Sequence, residues 1–170
     1  HDFVDDDGKL TLGKAAQDLR ENIERAIARL GKTDLIVLAN DWHDWDQPHP
    51  EKRLFPRHAP IGTKGAETVV GSAIQNAKAP AITIRKQRYS AFFRTGLTDI
   101  LHAAGTDKLY LAGVCTDICV LHSAIDAFNA GFDTAVLGDC VASFNKAGHE
   151  FAMTHFINIL GFEIVTSHDL

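Results

Sequence analysis

Long apolar runs are missing from this chain. No segment approaches the ~18 residues that a membrane-spanning helix needs, and no secretory leader is visible. Basic clusters are missing too: 17 lysines and arginines stand against 22 aspartates and glutamates, and the net charge of −5 argues against a nucleic-acid surface. Cysteine is scarce. Three residues, an odd number in a chain without secretory features, do not suit a disulfide framework, so a reducing cytoplasm is the expected location. Internal repeats and low-complexity segments are absent, and four of the five prolines are confined to residues 40–65. What remains is 170 residues at 45% hydrophobic and 23% charged content, which suits one globular domain over 1–170 with an adequate core.

Helical and strand-like patterns alternate without a linker. Leu19, Ile23, Ile27 and Leu30 share one helical face, Gln17, Asp18, Arg20, Glu21 and Glu24 lie elsewhere around it, and Gly31 supplies a stop. Strands are predicted at Leu35–Ala39, Ala81–Ile84, Leu109–Val114, Thr134–Leu137 and Glu163–Thr166, with helices over Gly96–Ala104 and Lys146–Leu160. This order predicts an α/β fold: three layers, α/β/α, around a mainly parallel, Rossmann-like sheet. Ligands of such sheets bind at the carboxyl ends of the strands, and Asp41, Lys86 and Cys119 each follow a predicted strand.

Ile118, Leu121, Ile125 and Phe128 recur at helical spacing, which places Cys119 in the first turn of a helix. Unpaired backbone N–H groups and the positive end of the macrodipole favour the thiolate there. A small buried apolar residue is an equally good reading of a free cysteine on position alone. The wording of the segment decides. Gly113-Val-Cys-Thr-Asp-Ile-Cys-Val-Leu-His-Ser-Ala-Ile-Asp-Ala127 closely resembles the nucleophile segment of the isochorismatase-like cysteine hydrolases, and Gly131–Ser143 resembles their next strand and loop. The resemblance implies that Cys119 is the nucleophile and Cys115 is not. It also implies a cis Val114–Cys115 peptide and an oxyanion hole formed by the N–H groups of Cys115 and Cys119.

The proline-rich loop carries Asp41, His43, Glu51 and His58, two carboxylates and two imidazoles that suit a divalent transition metal with open positions. Scattered solvated polar residues are the plainer reading of such a loop. Asn40-Asp-Trp-His43, His49-Pro-Glu51 and Leu54–Thr63, however, look like the metal-binding loop of the nicotinamidases within the same superfamily. By that resemblance Asp41, His43, Glu51 and His58 hold one divalent ion, zinc foremost, with iron or manganese as alternatives. His49 is a bystander.

Arg85-Lys-Gln-Arg-Tyr-Ser-Ala-Phe92 matches the family's Lys-x-x-Tyr-Ser-Ala-Phe pattern, which assigns Lys86 to the catalytic triad and Tyr89 to the pocket wall with Phe3 and Phe55. The family pattern Asp-x-x-x-Asp-Phe-Val ends here in Asp2-Phe-Val4. The catalytic aspartate is therefore expected four residues before Asp2, upstream of His1, on a first strand that the sequence does not contain; Asp5, Asp6 and Asp7 do not match that position either. The function implied is hydrolysis of nicotinamide or pyrazinamide, as in pyridine nucleotide salvage, through a cysteine thioester. The metal would hold the ring nitrogen, and water from the metal site would complete the reaction. A homo-oligomer, dimer or tetramer, is expected. The rival readings are another amide or carbamoyl hydrolase of the superfamily, and a non-catalytic redox or metal-binding protein built on Cys115 and Cys119.

Overall fold

In the computed structural model, which describes residues 1–170, every strand pairing is parallel. Helix α1 spans Lys14–Arg29, strand β1 Ile36–Asp41, helix α2 Gly71–Gln75 and strand β2 Ala81–Lys86. Helix α3 follows at Leu97–Ala103, strand β3 at Lys108–Val114, a π-helical turn at Thr116–Val120 and helix α4 at Leu121–Asn129. Strand β4 (Asp133–Ala142), helix α5 (Lys146–Asn158) and strand β5 (Glu163–Val165) complete the chain. No helix is long and apolar enough to cross a membrane.

Period-two alternation sorts the strand side chains into two helical layers. On β1, Ile36 packs with Ile27 of α1 and Val70, whereas Val37 and Ala39 turn to the cluster of Ile84, Leu97 and Leu101 beneath α3. On β4, Leu137 meets Ala26 of α1, and its neighbour Val136 packs against Leu121, Ala124 and the fully buried Phe156 of α4 and α5. The three-layer α/β/α arrangement follows from this alternation.

The structure corrects several expected boundaries. Helix α1 ends at Arg29, and Leu30 is already extended. Strand β4 runs to Ala142, well past the apolar stretch that signalled it, because its later residues continue the register with β3 after a shift between Leu111 and Gly113. Helix α2 gave no periodic signal, being five residues long. The parallel strands pair in two groups, β1 with β2 and β3 with β4 and β5. Helix α1 bridges them through Ile27 on one side and Ala26 on the other. Between the facing edges of β1 and β3 lies a cavity of about 1100 Å³, largely apolar, with Asp41, Lys86 and Cys119 among its lining residues.

Candidate active site and metal centre

The parallel register of β1 and β2 sets Asp41 opposite Lys86 at the last position of both strands. Their side chains pair, Lys86 Nζ donating to Asp41 Oδ1. The same ammonium donates to the Arg88 carbonyl at 3.3 Å and lies 3.6 Å from Cys119 Sγ. Lys86 is buried. Burial opposes its charge, but the Asp41 carboxylate and the Cys119 sulfur outweigh it and hold the ammonium well above the ordinary lysine range. Lys86 is thus a fixed positive charge rather than a proton donor.

Cys119 falls within the π-helical turn, ahead of α4, and not in the first turn of a regular helix as its spacing had suggested. The Val114–Cys115 peptide is cis, as expected. Enclosure pushes the Cys119 thiol up to about 11; Lys86 pulls it down, and Asp41 and Glu51 push it back up. The expected bias toward thiolate is therefore not met, because enclosure opposes the charge and Asp41 and Glu51 add to that opposition against the pull of Lys86. Burial, with a neighbouring negative group, carries Cys115 and Cys140 to about 12, and all three cysteines are free thiols.

A short parallel bridge brings the two ends of the loop together. The His43 N–H donates to the Ala59 carbonyl at 3.0 Å, and the Ile61 N–H donates to the His43 carbonyl at 3.1 Å. This sets His43 beside His58, both about 1% exposed and so in need of partners. His43 Nε2 is 3.7 Å from Asp41 Oδ1 and 3.8 Å from Glu51 Oε2, and His58 Nε2 is 3.5 Å from the same Glu51 oxygen. Both ring nitrogens of His43 lack any hydrogen-bond partner. His58 Nδ1 meets the Pro56 carbonyl at 2.8 Å, so it carries the proton and leaves Nε2 free toward Glu51. Burial, against the pull of Asp41 and Glu51, lowers His43 to about 4 and keeps it neutral. For His58, burial also opposes the charge, but Glu51, Pro56 and Asp41 prevail and raise it. The donors form two overlapping groups, Asp41, His43 and His58 in one and His43, His49 and Glu51 in the other, each with its ligand atoms within 4.8 Å of one another; with the His43 imidazole otherwise unpartnered, they fit a divalent transition metal. His49 is buried beside them with both nitrogens engaged: Nδ1 accepts from the Glu51 N–H and Nε2 donates to the Gln87 carbonyl, each at 3.2 Å. It caps the 3₁₀ turn Pro50–Arg53 that presents Glu51, and its ring lies close enough to His43 and Glu51 to be a third donor there, so the structure does not set it apart from the ligand set as the sequence reading did.

Between the loop and Cys119 lies a small cleft of about 10 Å³. Phe3, Phe55 and Tyr89, the three expected wall residues, line it together with Asp41, Glu51, His58, Cys115 and Cys119. Phe3 and Phe55 meet His58 edge-on, with ring centroids 5.5 and 6.1 Å apart. Leu10, Ile118 and Phe144 complete the wall. Sequence reasoning did not place these three at the cleft: Leu10 and Phe144 are isolated apolar residues near a loop or turn, and the helical spacing of Ile118 says nothing of what it faces. The cleft is too tight for an aromatic ring as it stands. Phe144, 45% exposed, is the wall residue with most room to turn aside.

The acidic N-terminal residues are engaged elsewhere. Asp2 is buried and accepts the Ala59 N–H at 2.7 Å, which steadies the left-handed residue beside His58. Asp5 pairs with His1 and Lys64, and Asp6 accepts from Gln17. None of them is bonded to Cys119 or Lys86.

A family model described as the isochorismatase domain matches residues 1–169. The uncharacterized isochorismatase family protein PncA of Bacillus subtilis is 45% identical over 175 residues, covering 96% of this chain and 93% of that one. Among solved structures, nicotinamidase PncA from Bacillus subtilis superposes with a TM-score of 0.85 at 40% identity, over 96% of this chain and 93% of that chain. The pyrazinamidase of Pyrococcus horikoshii in complex with zinc gives 0.83 at 30% identity, over 97% and 93%.

Proposed function

The chain belongs to the isochorismatase family, and from that premise we propose that it hydrolyses nicotinamide to nicotinate and ammonia through a thioester on Cys119. It is an amidohydrolase acting on carboxamides, as its nicotinamidase and pyrazinamidase relatives are. The observation that carries the substrate reading is the single cleft in which Cys119 faces Asp41, Glu51 and His58 across aromatic walls. A planar ring in that cleft would turn a carboxamide to the sulfur and a ring nitrogen to the ligand cluster.

Phe3, Phe55 and Tyr89 would sandwich the ring and exclude water. The Cys119 thiol, held mostly protonated at neutral pH, gives its proton to a carboxylate base, and Lys86 stabilises the thiolate that results. The sulfur attacks the carboxamide carbon, and the N–H groups of Cys115 and Cys119 receive the charge that collects on oxygen. The base returns its proton to nitrogen, ammonia departs, and water cleaves the thioester to nicotinate and free thiol. Asp41, His43, Glu51 and His58 would hold a divalent ion, which when bound supplies a Lewis acid to the ring nitrogen and to water.

Asp41 is committed to Lys86, Asp2 to the Ala59 N–H and Asp5 to His1, so the proton acceptor is a carboxylate other than these three.

Ammonia release from a small panel tests the substrate class. Nicotinamide and pyrazinamide should turn over, and benzamide, which lacks the ring nitrogen, should be slower by ~10²-fold or more. Turnover of an N-carbamoyl amino acid with nicotinamide untouched would move the protein to another branch of the amide hydrolases.

A further inference from the structure

The turn that follows Lys86 and carries Tyr89 is fastened to the nucleophile helix by side chains that the chemistry above does not use. The buried hydroxyl of Ser123, in the first turn of α4, accepts the Ala91 N–H at 2.9 Å and donates to the Cys119 carbonyl at 2.7 Å. Ser90, also buried, donates to the Asp126 carboxylate on the next turn of α4 and accepts the Phe92 N–H at 3.1 Å. Two straps therefore run from residues 90–92 to α4, and one of them ends on the carbonyl of the residue that bears the thiol.

A serine bonded to the carbonyl four residues back is common in helices and by itself means little. Here the same oxygen also takes an N–H from a segment 32 residues away in sequence, and both partners are needed to occupy it. The carbonyl in question lies where a π-helical turn gives way to α4, so the register of Cys119 is not enforced by a regular α-helical ladder. On the other side of the strap, the turn follows directly from Lys86, whose ammonium also holds the Arg88 carbonyl. Sliding the turn against α4 would change the 3.6 Å separation of Lys86 Nζ from Cys119 Sγ and the place of Tyr89 in the cleft wall.

We propose that Ser123 is a positioning residue for the nucleophile, holding the turn that follows Lys86 and carries Tyr89 in register with Cys119 through one shared hydroxyl. Its kinetic consequence rests on the hydrolytic reading of the site; its chemical consequence does not. Removing the hydroxyl frees a buried N–H and loosens the sulfur relative to its ammonium, and misplacement on the order of 1 Å at a reacting group lowers rates by ~10²-fold. Ground-state binding of the ring depends on walls that stay in place, so the loss belongs in kcat.

The experiment compares Ser123→Ala, Ser123→Thr and Ser123→Val by steady-state ammonia release from nicotinamide and by the rate of Cys119 alkylation with iodoacetamide at fixed pH. Threonine keeps a hydroxyl that can reach the carbonyl four residues back, and valine has its shape without the oxygen. Expected are a kcat lower by ~10–100-fold in the alanine and valine variants with little change in KM, slower alkylation in both, and recovery of both readouts in the threonine variant. Wild-type kcat and alkylation in Ser123→Ala, or a threonine variant as impaired as valine, would overturn the proposal. Should Ser123→Ala fail to fold, Ser90→Ala cuts the neighbouring strap and must show the same split between kcat and KM; an unchanged kcat there overturns the proposal. If the wild type released no ammonia from any carboxamide while alkylation still fell in Ser123→Ala and returned in Ser123→Thr, the substrate reading would fail and the positioning role would stand.

Discussion

Cys119→Ala is expected to abolish ammonia release from nicotinamide, by ~10⁴-fold or more, while the circular dichroism spectrum is kept. Under the proposed mechanism the Cys119 sulfur forms the thioester, so its loss removes the nucleophile, while the small side chain that replaces it alters a partly exposed position. Cys115→Ala is the informative control. Its thiol is 2% exposed and pushed up to about 12, so it is inert at neutral pH, and the role given to Cys115 uses its backbone N–H. Substantial activity should survive that change, with some loss of stability from the shortened buried side chain. The reverse outcome, an active Cys119→Ala and a dead Cys115→Ala, would exchange the two assignments.

His43→Ala and His58→Ala should each cost metal and turnover together. Roughly one zinc, iron or manganese per chain is expected by elemental analysis of the wild type, and removal of one imidazole should weaken retention by ~10–100-fold or more. His43→Ala carries the added expectation of a protein whose apo form folds at least as well. In the metal-free chain His43 is a buried imidazole with both nitrogens unpartnered, and a buried polar group without partners costs ~1–3 kcal/mol. Stripping the wild type with a chelator and restoring zinc should remove and return activity. Full turnover by metal-free protein would refute the ligand assignment. Which ion binds in the cell depends on availability as much as on the donors, so the measurement names the metal where the donor set does not.

The layers and the ends at which the chemistry gathers were legible in the sequence, because period-two and helical patterns report burial directly; the order in which the strands pair was not. Asp41, Lys86 and Cys119 were found by that logic, each at the end of an apolar run. Contacts that join distant segments were not legible. Nothing near Leu10, Ile118 or Phe144 marks them as neighbours, yet they share a wall of the cleft. The thiol's charge state was misjudged for a related reason. Helical spacing around Ile118 and Leu121 gave no sign of the π-helical turn, and the approach of Asp41 and Glu51 to the sulfur depends on how the loop over residues 40–65 closes through the His43–Pro60 bridge. The resemblance to a family supplied the roles; the physical pattern alone supplied only the places.

The pairing of Asp41 with Lys86 makes the two halves of this enzyme heritable only together. One carboxylate belongs to the proposed ligand set and, through the register of two adjacent parallel strands, also neutralises the ammonium beside the thiol. A lineage that discarded the metal-binding loop could lose His43, Glu51 and His58 one at a time, but replacing Asp41 would strand a buried cation, a change on the order of 3–5 kcal/mol in most proteins where it has been measured. Drift at this position is therefore penalised twice, once for each partner it serves. Transplanting the metal loop onto another scaffold meets the same constraint in reverse: the recipient needs a lysine at the end of the neighbouring strand, in register, or the incoming aspartate arrives with half of its purpose missing.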